Sequence, residues 1–113
     1  MQAVTAVRII NTAEINSARF VPLEDLGNAP NVQALRSDSG RGGDTARAMR
    51  FDREEILPGW RVHFVLGDRG YSVALSDTRD PCQFTLWSNE GGLIFEGRPI
   101  TLRRSPRPAT LAP

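Results

Sequence analysis

Lysine is absent from this sequence, and cysteine and histidine occur once each. All 14 basic side chains are therefore arginine. We attribute this bias to the base composition of the genome and not to a functional requirement for arginine. Cys82 has no partner for an intrachain disulfide and cannot form a cysteine-rich metal site. His63 is the only imidazole, and no serine or cysteine nucleophile has an obvious route to it. We therefore predict that the protein is not an enzyme and needs no cofactor.

Long apolar runs are also missing. No stretch approaches the roughly 20 apolar residues of a transmembrane helix, and the N-terminus lacks the pattern of a secretory signal. The net charge of +1 gives no general reason to expect binding to nucleic acid or to an anionic membrane. A chain of 113 residues with 40% apolar content is typical of one small globular domain, which we place at residues 1–97.

The most informative stretch is Gln2 to about Phe20, a helical pattern without Gly or Pro. Its broad apolar face comprises Ala3, Ala6, Val7, Ile10, Ala13, Ser17 and Val21, extended on one side by Val4, Ile15 and Ala18. Asn11 and Glu14 fall inside this face. Its width indicates that one flank packs on the protein's own domain and the other meets a second surface. The alternative, which we favour for the helix considered alone, is an ordinary core helix in which Glu14 either reaches a backbone donor or extends its carboxylate to water. The helix-packing and assembly candidates are Val4, Val7, Ile10 and Glu14.

The segment after this helix contains short helical turns and a loop. Residues 21–27 and 32–36 each predict about one turn of helix. Residues 37–44 have no apolar side chain, and their Gly and Ser content predicts a long flexible loop, the most mobile internal segment. The acidic pattern at 52–55 fits a capping box, so we expect another helical turn, ended by Pro58 and Gly59.

From Trp60 onward the apolar period changes from helical to two. The alternation predicts strands at about 60–66 and 71–75, joined as a hairpin by residues 67–70. Residues 82–88 and 93–96 supply a third and a fourth strand. The predicted fold class is therefore α+β, with the N-terminal helix packed on a four-stranded antiparallel meander. His63 falls on the outward face of this sheet.

Four short sequence segments occur one after another along the chain. They are Ala-Val-Arg-Ile-Ile-Asn-Thr-Ala-Glu at 6–14, Leu-Glu-Asp-Leu-Gly at 23–27, the hairpin segments at 59–64 and 70–73, and Leu-Trp-Ser-Asn-Glu-Gly-Gly-Leu-Ile at 86–94. Together they resemble the type IV pilin-like, or pseudopilin-like, proteins of bacteria. The resemblance extends over about residues 3–96.

This resemblance implies a structural subunit of a type IV pilus or type II secretion filament. Such a subunit assembles through its N-terminal helix with other pilin-like subunits, lies outside the cytoplasm, and contacts the membrane only through an apolar half-helix. That half-helix, the leader and its cleavage site are not in this sequence. The sequence begins inside a helical pattern and has no N-cap residue. This start is expected if the helix is the continuation of a longer helix. The alternative is a native start with a frayed first turn.

A standalone extracytoplasmic binding module is the alternative to a filament subunit. The loop from Ser37 to Arg50 would then be its contact surface. Neither interpretation requires a small-molecule substrate.

Two further groups of charged residues could form binding sites. The tail at 98–113 is rich in Arg and Pro, and we expect it to be extended or disordered. Its arginines could contact DNA phosphates, but no aromatic residue is interleaved for base stacking, so we do not expect nucleic acid as a partner. These arginines are Arg98, Arg103, Arg104 and Arg107.

The second group consists of acidic residues in the turns of the meander. Asp68, Asp77, Asp80 and Glu90 could supply oxygen ligands for calcium, but their spacing has no EF-hand pattern. Asp in a turn usually accepts hydrogen bonds from the local backbone. The sequence therefore predicts no metal site. Gly40 to Gly43 likewise lacks the context of a phosphate-binding loop.

Overall fold

The computed structural model describes residues 2–97 and has an N-terminal helix followed by short helices and an antiparallel sheet. The predicted tail and its candidates Arg98, Arg103, Arg104 and Arg107 lie outside the described residues. The α+β class is confirmed. The elements are α1 (Gln2–Ile15), a 3₁₀ helix (Leu23–Asn28), α2 (Pro30–Arg36), α3 (Arg41–Ala48), β1 (Glu55–Leu57), β2 (Trp60–Leu66), β3 (Tyr71–Asp77), β4 (Thr85–Asn89) and β5 (Phe95–Gly97).

The five strands form one antiparallel meander in the order β1-β2-β3-β4-β5. The predicted hairpin is present, with Val62 opposite Leu75 and Phe64 opposite Val73. On the inner face, Trp60, Val62, Tyr71, Val73 and Leu75 are buried and Phe64 is partly buried, whereas Arg61 and His63 are exposed on the other face. The alternation read from the sequence therefore assigns the two faces of the sheet correctly.

The prediction of four strands was wrong, because residues 55–57 form an additional edge strand. Ile56 and Leu57 are buried as part of β1, and the Val62 N–H donates to the Glu54 carbonyl. Pro58 and Gly59 then form the tight turn into β2, in which Gly59 has a φ of +82°. The acidic residues before Ile56 do not cap a helix. A three-residue strand is too short to display a period of its own.

The last two strands begin later than predicted. Asp80 accepts hydrogen bonds from the backbone N–H groups of Cys82 and Phe84, so this segment is held as a turn and β4 starts at Thr85. The fifth strand begins at Phe95 rather than Leu93. Before β4, a side chain accepts hydrogen bonds from backbone N–H groups, and before β5 the chain makes a tight turn. Each feature delays the start of strand pairing.

Helix α1 ends at Ile15, about five residues before the predicted end. The hydroxyl of Ser17 donates to the Ala13 carbonyl at 2.9 Å, and the Val21 N–H donates to Glu14 Oε1 at 2.9 Å. These bonds replace the next helical turn and direct the chain back along the helix.

Helix α3 occupies part of the segment that we predicted to be a flexible loop. Gly43, Thr45 and Ala46 are buried in it, and their small size lets α3 pack closely on its neighbours. Arg47 closes the connection to α2, since its Nη1 donates to the carbonyls of Arg36 and Asp38. The glycines therefore allow close packing here, and the absence of large apolar side chains concealed the helix.

The core lies between α1, the inner face of the sheet and the two short helices. Helix α1 packs on β3 and β4 along one flank and on α2 and α3 along the other. The broad apolar face predicted from the sequence is thus covered on both flanks by this same domain. The buried face of α1 includes Ile9, which is 5% exposed, and does not include Ile15, which is 57% exposed.

The two glycines inside α3 provide a test of this close packing. A Cβ at position 43 would fall on the carbonyl oxygen of Asp38, whereas one at position 42 would lie 3.2 Å from Leu35 Cδ2, the end of a flexible side chain. Both substitutions gain similar helix propensity, about 1 kcal/mol. We expect Gly43→Ala to lower the free energy of unfolding in urea by about 2 kcal/mol, because a backbone clash must be relieved.

Gly42→Ala is the matched control and should be neutral or stabilising. Equal effects of the two substitutions would contradict the packing described for α3.

Candidate functional site

Three of the four helix-packing candidates are fully enclosed in the domain. Val7, Ile10 and Glu14 are each 0% exposed, whereas Val4 is only partly buried. The second surface that we expected one flank of the helix to meet is formed by α2 and α3 of the same domain. Val7, Ile10 and Glu14 therefore stabilise the fold in the described structure, and only Val4 retains surface for a partner.

A buried hydrogen-bond network joins α1 to the sheet. The hydroxyl of Tyr71 on β3 donates to Asn11 Oδ1 at 2.5 Å, and Asn11 Nδ2 donates to Ser88 Oγ on β4 at 3.0 Å. Ser88 Oγ then donates to the Leu93 carbonyl at 2.6 Å. Each side chain satisfies the next, so the network fixes the position of the helix relative to two strands.

Glu14 is the buried carboxylate of α1. Its Oε1 accepts the Val21 N–H, which confirms the alternative that this side chain meets a backbone donor. Its Oε2 is buried and has no hydrogen-bond partner among residues 2–97. Burial raises the pKa of Glu14 above its usual value, and the hydrogen bond from Val21 only partly opposes this shift.

Tyr71 lies in the same environment. Burial, together with the negative charges of Glu14 and Glu90, raises the pKa of Tyr71 to about 12. The phenol therefore stays protonated at neutral pH and remains a donor to Asn11. The hydrogen bonds among Tyr71, Asn11 and Ser88 hold α1 in register with β3 and β4.

The sequence did not reveal Tyr71 and Ser88 as parts of this network. Both occupy inward positions of their strands, and an inward polar side chain is the available signal, since buried polar groups require partners. Their pairing with Asn11 depends on the strand register, in which Val73 stands opposite Ser88. That register cannot be read from the residues alone.

The other candidate residues named from the sequence lie apart from this buried network. His63 is exposed on the outer face of β2, as predicted, and Cys82 is exposed in the turn before β4. The expected contact surface from Ser37 to Arg50 is mostly the helix α3, whose inward side chains pack on the domain.

Three of the four acidic residues in the turns, Asp77, Asp80 and Glu90, accept hydrogen bonds from backbone N–H groups. Asp77 accepts from the Arg79 N–H, and Glu90 accepts from the Tyr71 N–H. Asp80 caps the turn before β4 in the same way. In the described part of the chain, no group of three or more His, Cys, Asp or Glu side chains is placed to hold a metal ion.

Comparison with known proteins adds no further constraint. No protein-family profile, curated protein or solved structure matches this chain. Within residues 2–97, no helix combines the length and apolar character needed to cross a bilayer.

Tyr71→Phe tests the contribution of the buried network. The substitution keeps the ring and leaves Asn11 Oδ1 without its donor, so we expect the free energy of unfolding to fall by about 1–2 kcal/mol. Ser72→Ala is the control, because Ser72 is exposed on the opposite face of the same strand. The free energy of unfolding is measured for both variants in urea. For the control it should stay within about 0.5 kcal/mol of the value for the unchanged protein. A similarly small change for Tyr71→Phe would mean that the network contributes little to stability.

Proposed function

We propose that this chain is the globular part of a pilin-like subunit of a bacterial type IV pilus or type II secretion filament. In this proposal the subunit lies outside the cytoplasm, and an apolar segment preceding Gln2 anchors it in the membrane. Its partners are other pilin-like subunits of the same filament. Its function is assembly.

One observation carries this proposal. The four runs that resemble the pilin-like family fall in the same order on α1, the 3₁₀ helix, the β2–β3 hairpin and β4 with the turn that follows it. An N-terminal helix on an antiparallel meander is the architecture that the resemblance implies. The resemblance is therefore spread over the fold and is not limited to one short motif.

The burial of α1 indicates which of its residues can meet a neighbour. Val7, Ile10 and Glu14 are already enclosed, whereas Arg8, Thr12 and Ile15 are exposed along the opposite side. Val4 is partly exposed beside them. We therefore assign subunit contacts to the outward side of α1, defined by Val4, Arg8, Thr12 and Ile15. The buried candidates act indirectly by holding α1 on the domain.

Site-specific photo-crosslinking in the full-length gene product tests this assignment. In a Cys82→Ser background, Thr12→Cys is labelled with a benzophenone maleimide on filaments sheared from the cells of the source bacterium. We expect the chain to be present in the sheared fraction and to crosslink to other subunits from position 12, since this side of α1 faces neighbours.

Val65→Cys is the matched control, because Val65 is 51% exposed on the outer face of the sheet, away from α1. Crosslinks from position 65 should be much weaker. Absence of the chain from the sheared fraction, or crosslinks as strong from position 65 as from position 12, would overturn the proposal.

A further inference from the structure

A groove of about 560 Å³ lies on the inner side of β2. Helix α1 packs on β3 and β4, so the neighbouring strand β2 is left partly open. The floor of this β2 groove is formed by Val62, Phe64 and Leu66, and its walls by residues 22–24 and 51–54. Leu66 is 40% exposed, so apolar surface remains in contact with solvent here.

The rim of the β2 groove is acidic. Glu24, Asp52 and Glu54 line it and are exposed, against the single guanidinium of Arg53. Within residues 2–97 these three carboxylates have no ion-pair partner within 4 Å. The Glu54 carbonyl accepts the Val62 N–H at 2.7 Å, which places Glu54 at the Val62 end of the floor. The groove therefore fits a surface that combines apolar and basic side chains.

The outward side of α1 has this complementary chemistry. Glu14 is the only acidic residue among positions 2–20, and it is buried, whereas Arg8 and Arg19 are exposed. Neither arginine has a carboxylate within 4 Å among residues 2–97. Ile15 is 57% exposed and, in the part of the chain that the structure describes, is the only exposed large apolar side chain on a helix. The helix thus presents an apolar side chain together with positive charge.

The spacing of these side chains matches the length of the groove. Arg8 and Ile15 are seven residues apart, which places them on one side of α1 about 10 Å from each other along its axis. Val62 and Leu66 are four residues apart, or about 13 Å along β2. When Ile15 lies over the Leu66 end of the floor, Arg8 therefore reaches the Val62 end, where Glu54 stands. One orientation of the helix satisfies both the apolar and the charged contact.

We propose that the outward side of α1 in one subunit binds in the β2 groove of a second copy of this chain. Ile15 covers Phe64 and Leu66 of the second copy, and Arg8 lies beside its Glu54. The two surfaces are different, so the contact is heterologous. Repeated heterologous contacts build a filament when the rotation between subunits does not close a ring. This inference rests on the proposed function and names the surface that the subunit contacts use.

Mapping the crosslinks from position 12 tests this contact without altering the groove. Thr12 lies between Arg8 and Ile15 on the outward side of α1. In crosslinked dimers from sheared filaments, we expect the benzophenone at Thr12→Cys to be attached mainly within residues 51–54 or 62–66 of a second copy, as read by peptide mass spectrometry. Attachment mainly to other subunits, or elsewhere on the second copy, would overturn this inference and leave the proposed function standing. Absence of the chain from the filaments would instead overturn the proposed function and, with it, this inference.

Single cysteines on two co-expressed full-length copies measure the contact directly. In a Cys82→Ser background, a tagged copy carries Ile15→Cys and an untagged copy carries Leu66→Cys. In the control, Val65→Cys replaces Leu66→Cys, since Val65 is adjacent in sequence, similarly exposed and on the opposite face of the sheet. Under mild oxidation of the filaments, we expect the disulfide between tagged and untagged copies to form about ten-fold faster or more with position 66, because docking raises the local concentration of the two thiols. Equal rates for positions 66 and 65 would contradict the docking.

Exchanging the charges of Arg8 and Glu54 tests the orientation of the helix in the groove. Arg8→Glu in the tagged copy should lower the rate of the Ile15–Leu66 crosslink at least about three-fold, because the like charges repel. Adding Glu54→Arg to the untagged copy should restore about half of the original rate or more, because opposite charges then face each other again. A rate that Arg8→Glu leaves unchanged, or a loss that Glu54→Arg does not restore, would overturn the pairing of these two surfaces.

Discussion

The hydrogen bonds from Tyr71 to Asn11 and from Asn11 to Ser88 are the constraint on which the rest of the structure depends. They tie the middle of α1 to two strands whose residues lie 60 and 77 positions away in the chain. Apolar burial alone would allow the helix to slide or rotate on the sheet, whereas a satisfied buried network favours one arrangement. Val7 and Ile10 then occupy defined positions in the core.

Fixing α1 in this way determines which of its surfaces remain for function. Its inner flanks are covered by the sheet and by α2 and α3, so a filament contact is left to the outward side defined above. This differs from the expectation that a single broad apolar face serves both fold and assembly. Glu14, enclosed and with a raised pKa, now belongs to the fold, where its carboxylate turns the chain after α1.

The sequence predicted the parts of the fold that have a strong period. The α1 pattern and the alternation from Trp60 to Leu75 gave the helix, the hairpin and the correct inward faces. The sequence pattern did not predict the elements that are short or that pack through small residues. Strand β1 is three residues long, and α3 buries Gly43 and Ala46 in place of large apolar side chains. The polar network was also out of reach, because the meeting of Asn11 with Tyr71 requires the register of strands that are distant in sequence.

The coding sequence upstream of Met1 tests the central claim, that this domain is carried by an anchored filament subunit. We expect a basic leader, a cleavage site and about 20 apolar residues that run without interruption into α1. Such a segment would extend the helix into the membrane and leave the domain in the arrangement described here. A native start at Met1, or an ordinary secretory signal, would contradict the assignment to an anchored filament subunit and favour the standalone binding module.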